Sequence, residues 1–192
     1  MYSLQDINAN YKFKLLQTVK QIFQETGMPY VWLAQNVNQM DVNYLANEVK
    51  LILTDQFKQT WHSLATNSTK GNYYCMFKHQ LTLEPYLLNL PYCKRIWINR
   101  LRTTNHRLAI ETDRWTNIDR QDRLCTLCNS RLGDELHFLL YCQSLNDIRR
   151  LYLPKYYCNN PSLDKFINLM SICYRPMLLK LSDYTKAGLC LM

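Results

Sequence analysis

The sequence contains few glycines and prolines and no long hydrophobic stretch. Only 4 of its 192 residues are glycine and 6 are proline, which argues against long flexible linkers and loop-rich all-β folds. No segment approaches the roughly 20 consecutive apolar residues of a membrane-spanning helix, and the N-terminal residues lack the pattern of a secretory signal. These absences predict an intracellular protein with no membrane partner, whose 8 cysteines are thiols or metal ligands rather than disulfides.

Arginine is absent from residues 1–93 and concentrated in the segment that follows. Ten of the eleven arginines lie within residues 94–155, where 12 basic and 7 acidic residues give a net charge of +5. The whole chain carries +8. Arginine makes bidentate phosphate contacts and stacks on bases, so RNA or DNA is a candidate partner. An ordinary solvated surface would explain the same charge.

Apolar residues recur at helical spacing through most of the chain. Helices are predicted over five segments, namely residues 3–26, 41–65, 92–104, 144–153 and 163–181. Asp41 is expected to cap the second helix, and Pro176 is expected to bend or break the last one. Residues 106–124 lack helical periodicity and are predicted to be extended.

Four potential metal ligands lie within 18 residues and have the spacing C-x2-C-x8-H-x4-C, namely Cys125, Cys128, His137 and Cys142. A C-x2-C turn can place two sulfurs at about 2.3 Å from one ion, and four such ligands fill a tetrahedral site. This pattern predicts a structural zinc ion rather than a catalytic one. The alternative is three unrelated core thiols and a buried histidine.

The residues around His137 predict how the second ligand pair is positioned. Gly133 and Asp134 are expected to form a turn and a helix N-cap just before it. Five residues rotate an α-helix by about 500°, which places Cys142 off the face of His137. The helix is therefore expected to end near Tyr141, so that Cys142 can return to the metal.

The other metal-type and aromatic residues have simpler predicted roles. Five cysteines are expected to be core thiols, namely Cys75, Cys93, Cys158, Cys173 and Cys190. Three histidines are expected to be surface or capping residues, namely His62, His79 and His106. Trp115 is expected in the core rather than as a stacking platform.

These patterns predict a mainly α fold. A bundle-like helical region would cover residues 1–105, and a small CCHC module similar to a zinc knuckle would cover residues 106–158. Closing helices would cover residues 159–192. The alternative is that the helices and the CCHC module merge into one inseparable core.

Residues 94–153 resemble the zinc-binding segment downstream of the polymerase domain in LINE-type (non-LTR) retrotransposon reverse transcriptases. The similarity is carried by four stretches, namely residues 100–106, 123–128, 133–142 and 148–150, and covers about residues 70–158. The resemblance implies zinc binding and contact with template RNA or target DNA. Polymerisation requires paired aspartates that hold two metal ions, and the sequence contains no Asp-Asp pair. The chain is therefore predicted to be a fragment of a polymerase-like protein and not itself an enzyme.

The first functional hypothesis is a zinc-stabilised nucleic-acid-binding module. Six arginines are predicted to contact phosphates, namely Arg100, Arg102, Arg107, Arg114, Arg120 and Arg123. The resemblance adds Arg149 and Arg150. The second hypothesis is a structural or protein-interaction helical domain that zinc holds together, derived from a retroelement remnant. An independent polymerase or nuclease is the least favoured reading.

Overall fold

The computed structural model describes residues 14–34, 41–68 and 70–192, and these residues are mainly α-helical. The α-helices are α1 Lys14–Glu25, α2 Pro29–Ala34, α3 Val42–Asn67, α4 Tyr74–Phe77, α5 Pro85–Asn89, α6 Tyr92–Arg102, α7 Ala109–Thr112, α8 Asn146–Tyr152, α9 Lys155–Cys158, α10 Leu163–Met170 and α11 Arg175–Leu189. A π-helical turn covers His137–Tyr141, and 3₁₀ turns cover Asp113–Thr116, Arg120–Asp122 and Gln143–Leu145. Within the described ranges there is no β-strand, and one antiparallel bridge joins Leu124 to Leu132. The predicted mainly α fold is confirmed.

The chain forms two compact units, Met1–Ser63 and Leu64–Met192. The predicted domain boundaries at residues 105 and 158 both lie inside the second unit. Its buried core includes Leu101, Phe138 and Tyr184, each 1% exposed or less. These three residues come from the three predicted segments, so within the second unit the helices and the CCHC module share one core.

In the first unit, a specific cap marks the end of α1 and the start of α3. Gly27 adopts φ 75° after α1, and Met28 donates its backbone N–H to the Phe23 carbonyl at 2.8 Å, which is a glycine-type helix cap. Asp41 accepts a hydrogen bond from the Asn43 backbone N–H at 2.8 Å and caps α3 as predicted. Residues 3–13 of the first predicted helix lie outside the described residues.

In the second unit, one secondary-structure prediction is wrong and another is confirmed in part. Residues 106–124 contain α7 and two 3₁₀ turns instead of extended segments, because elements of three or four residues are too short to show helical periodicity. The helix predicted over residues 163–181 is two helices, and the break precedes Pro176. This proline lies in the first turn of α11, where its missing N–H removes no helical hydrogen bond.

Helix α11 approaches the π-helical turn closely because Gly188 has no side chain. A Cβ atom at Gly188 would lie 2.7 Å from Phe138 Cε2. One turn earlier, the Tyr184 hydroxyl donates to the Phe138 carbonyl at 2.6 Å. This contact fixes the π-helical turn, and with it His137, against the core.

Across the described ranges, no helix combines the length and the apolar composition that a membrane crossing requires.

Candidate metal centre

The first ligand pair lies on a tight loop closed by backbone hydrogen bonds. The Cys125 backbone N–H donates to the Arg131 carbonyl at 2.8 Å, and Gly133 donates to the Arg123 carbonyl at 2.8 Å. Within the loop, Asn129 donates to the Cys125 carbonyl at 2.8 Å and adopts φ 51°. Asparagine tolerates this left-handed conformation better than most residues, so the loop can turn immediately after Cys128.

Gly133 is required by close packing at the base of this loop. A Cβ atom at this position would lie 2.9 Å from the Ala109 Cβ and 3.0 Å from the Cys125 Cα. Both atoms belong to packed backbone elements that have little freedom to move. The small residue therefore allows α7 and the C-x2-C loop to lie against each other.

Asp134 positions His137 as the sequence predicts. Its Oδ1 accepts the His137 backbone N–H at 2.8 Å, and its Oδ2 accepts the Tyr73 hydroxyl at 2.7 Å. Burial raises the pKa of Asp134 above its ordinary value, and the two hydrogen bonds partly oppose that shift. The N-cap is thus anchored to the segment that precedes α4.

The π-helical turn explains how His137 and Cys142 reach the same point. The Cys142 backbone N–H donates to the His137 carbonyl at 2.8 Å, so the chain makes a five-residue turn instead of the four-residue turn of an α-helix. The helical segment ends at Tyr141, which confirms the predicted end. The sequence reasoning missed the π geometry, although the H-x4-C spacing was the signal for it.

Arg149, which lies on α8, donates side-chain hydrogen bonds to the carbonyls of this turn. Its Nε donates to the Leu139 carbonyl at 2.7 Å, and its Nη2 donates to the Cys142 carbonyl at 2.8 Å. Its Nη1 donates to Asn146 Oδ1 at 2.6 Å. The side chain is only 2% exposed. Arg149 therefore satisfies carbonyl groups at the end of the π-helical turn, where helix carbonyls lack partners.

The four predicted ligand side chains converge. Their donor atoms all lie within 4.8 Å of one another. The Cys125 and Cys142 sulfurs are 3.8 Å apart, and Cys128 Sγ is 3.2 Å from His137 Nε2. A tetrahedral ion with metal–sulfur bonds of about 2.3 Å would require a sulfur–sulfur distance of about 3.8 Å and a sulfur–nitrogen distance of about 3.6 Å. The cluster can therefore hold one tetrahedral metal ion after the widest donor separation closes by up to about 1 Å.

The electrostatics of the cluster favour a bound cation. Burial raises the pKa of Cys142 to about 12, and the neighbouring Cys125 adds to the effect. Burial also acts to raise the pKa of Cys128, but hydrogen bonds with Ser130 outweigh it and lower the value. Three sulfurs this close cannot all ionise without a positive charge between them.

His137 is held in the neutral form that binds metals. Burial lowers the pKa of its imidazole, and the positive charges of Arg131 and Arg149 lower it further. Its Nε2 faces Cys128 Sγ. Its Nδ1 is buried and has no hydrogen-bond partner among the described residues.

Three of the eight arginines predicted to contact phosphates make hydrogen bonds or ion pairs with other groups of the protein. Arg102 is 6% exposed, pairs with Glu84 at 3.0 Å and lies over two aromatic rings. Arg123 donates to two backbone carbonyls at 2.9 and 3.0 Å, and Arg149 supports the π-helical turn. The other five of these eight arginines are exposed to solvent, namely Arg100, Arg107, Arg114, Arg120 and Arg150.

Several expectations about single residues are wrong. Trp115 is 84% exposed instead of buried, because it lies on a short 3₁₀ turn at the surface. Three of the five additional cysteines are exposed, namely Cys93, Cys173 and Cys190. Cys75 and Cys158 are half-buried, and of these two Cys158 packs against the core as expected.

The three remaining histidines lie outside the Cys3His cluster. His62 and His79 are exposed, as expected. The His106 side chain is fully buried. Its Nε2 lies 2.9 Å from Glu135 Oε1, and its Nδ1 accepts the Leu108 backbone N–H at 3.3 Å. His106 therefore has the predicted capping contact but is not a surface residue.

Comparison of the chain with protein-family models, with curated proteins and with solved structures finds no match. The Cys3His cluster is therefore the feature of the molecule from which a function is inferred.

Proposed function

We propose that this chain is a zinc-stabilised nucleic-acid-binding module, related to the segment downstream of the polymerase domain in non-LTR reverse transcriptases and without polymerase activity of its own. The observation that carries the proposal is the convergence of Cys125, Cys128, His137 and Cys142. Thiolate and imidazole ligands in a tetrahedral arrangement favour zinc over oxygen-preferring cations. All four positions are filled by protein, so the ion would be structural.

The burial of the cluster supports a structural role for the ion. Cys125, His137 and Cys142 are all buried, and Phe138, inside the π-helical turn, belongs to the central core. Zinc would therefore connect the C-x2-C loop to the core. Structural zinc contributes about 10–16 kcal/mol in small zinc modules at neutral pH, which is as large as the stability of many whole domains.

The exposed basic and aromatic side chains support nucleic acid as the partner. Arg114 and Trp115 are adjacent on one exposed 3₁₀ turn, and Arg120 follows on the next. An exposed indole that is adjacent in the chain to an exposed arginine suits base stacking combined with phosphate contact. Single-stranded RNA or DNA fits best, because only unpaired bases offer their faces to an indole.

The metal is tested by mass spectrometry of the purified full chain. We expect one zinc per chain, loss of that zinc in Cys128→Ser, and retention in Cys93→Ser, since Cys93 is exposed and lies outside the cluster. A chelator should unfold the wild-type chain and the Cys93→Ser variant at similar concentrations. Equal metal content in the two variants, or a wild-type chain that binds no metal, would refute the zinc proposal.

Nucleic-acid binding is tested by fluorescence anisotropy with single-stranded RNA and DNA over a salt series. We expect log K to fall with log salt by about 0.7 for each phosphate that is neutralised. Trp115→Ala should weaken binding about 5- to 100-fold, the effect of one stacked base. Lys180 is an exposed cation on α11. Lys180→Ala serves as the control for the effect of removing one surface charge. Absence of binding by the zinc-loaded chain at low salt would contradict the proposed nucleic-acid binding. Primer extension by the chain alone would contradict the proposal that it has no polymerase activity.

A second function, protein interaction, is favoured by exposed apolar side chains on α3. Tyr44, Leu51 and Phe57 are each between 57% and 63% exposed. A protein partner that stays bound to the chain after nuclease treatment would support this function.

A further inference from the structure

A groove separate from the metal cluster lies where α6 and α11 end. Its volume is about 560 Å³, within the range of about 300–1,000 Å³ that is typical of small-ligand sites. Trp97 and Arg100 form the α6 wall, Asn105 and Arg107 come from the turn after α6, and Cys190 belongs to the opposite wall.

The turn after α6 places its polar residues in the groove. Thr104 adopts φ 54°, and the Asn105 backbone N–H donates to the Arg100 carbonyl at 2.8 Å. The chain therefore reverses at the end of α6. The next residue, His106, is fixed by its contacts with Glu135 and with the Leu108 backbone. The groove is thus a formed site tied to the CCHC module.

The groove is suited to an anionic ligand with a flat ring. None of the described residues that line it has an acidic side chain. The Arg100 guanidinium lies over the Trp97 ring, 5.0 Å from its centroid, and this pair forms a layered surface for stacking. Arg107 is exposed and has neither a hydrogen-bond nor an ion-pair partner within the described part of the chain. Its guanidinium donors are available for a phosphate.

We infer that this groove binds one nucleotide unit of single-stranded RNA or DNA. Arg107 contacts the phosphate, the base stacks against the Trp97–Arg100 pair, and the Asn105 amide contacts the base edge. The inference rests on the proposed nucleic-acid binding and assigns it a specific site. Paired bases in a duplex cannot enter, because their faces are covered by neighbouring base pairs.

The first test is anisotropy of the zinc-loaded full chain with fluorescein-labelled dodecauridylate RNA and dodecathymidylate DNA. We expect the double variant Arg100→Ala/Arg107→Ala to bind at least about tenfold more weakly, from the loss of one stacking and one phosphate contact. Its salt slope should fall by about 0.7 for each lost phosphate contact. Lys180→Ala, which removes a charge outside the groove, should change affinity less than about twofold. Circular dichroism and zinc content confirm that the variants are folded.

The second test locates the contact directly. A dodecauridylate with one 5-iodouridine is photocrosslinked to the chain, and the adduct is mapped by mass spectrometry. An adduct on Trp97 that disappears in the double variant supports the inference. If the double variant binds as tightly as Lys180→Ala and the adduct maps to Trp115, the groove is not the site, although nucleic-acid binding stands. If the wild-type chain binds neither oligonucleotide at low salt, both proposals fail.

Discussion

Arg149 and Arg150 are consecutive arginines with opposite environments, and substituting each by methionine tests the role of the π-helical turn. Arg149 is 2% exposed and donates to the carbonyls of Leu139 and Cys142, whereas Arg150 is exposed. Methionine keeps an unbranched chain and good helix propensity at both positions. The two variants therefore differ mainly in the hydrogen bonds that are lost.

The expected cost follows from those bonds. Hydrogen bonds from a charged donor contribute about 1.5–3 kcal/mol each, so the loss of the two bonds to the Leu139 and Cys142 carbonyls alone lowers the free energy of unfolding by about 3–6 kcal/mol in Arg149→Met. Arg150→Met should stay within about 0.5 kcal/mol of wild type, as surface substitutions usually do. The measurement is urea unfolding followed by circular dichroism at a fixed free zinc concentration, since metal binding shifts apparent stability.

Arg149→Met should also weaken zinc binding, because its Nη2 holds the carbonyl of the ligand Cys142. Competition with a chromogenic chelator measures this change, and Arg150→Met again serves as the control. If both variants are equally stable and bind zinc equally well, Arg149 does not support the turn and the reasoning is wrong.

Three further predictions concern other contacts. Gly133→Ala should lower the free energy of unfolding by about 1–3 kcal/mol through overpacking, since its Cβ would lie 2.9 Å from a neighbouring Cβ; an unchanged melting temperature would contradict this. Arg102→Met should cost about 3–5 kcal/mol because it leaves the Glu84 carboxylate without one of its partners, while Arg100→Met, an exposed change in the same helix, should cost under about 0.5 kcal/mol in the same urea assay. Burial raises the pKa of Tyr86 to about 12, so the folded state keeps a proton that the unfolded state loses near pH 10. The free energy of unfolding should therefore fall as pH rises from 10 to 12. In Tyr86→Phe, the free energy of unfolding should fall less steeply over the same pH range.

The ligand set and the main helices could be predicted because their signals are local. Asp41 precedes a periodic apolar pattern, and the four ligands have a spacing that few other roles require. Gly133 and Asp134 also indicated the turn and the cap before His137. In each case, the residues that determine the feature lie within one or two helical turns of each other.

The environments of individual side chains could not be predicted, since they depend on contacts between distant segments. Arg149 and Arg150 look alike in the sequence, and only the approach of α8 to the π-helical turn buries one of them. Trp115 is exposed because its 3₁₀ turn lies at the surface, although large aromatics are usually buried. The pairing of Arg102 with Glu84 joins α6 to the start of α5, and no local pattern indicates it.

The five-residue turn between His137 and Cys142 has a consequence for how this metal site could vary between proteins. A four-residue α-helical turn also returns to the same face, so removing one residue between the ligands would still let both of them reach the ion. Everything after Cys142 would keep its register with the metal, including the arginine seven positions later. Deletion of one residue is therefore tolerable at this point, and related proteins are expected to show either the H-x3-C or the H-x4-C spacing.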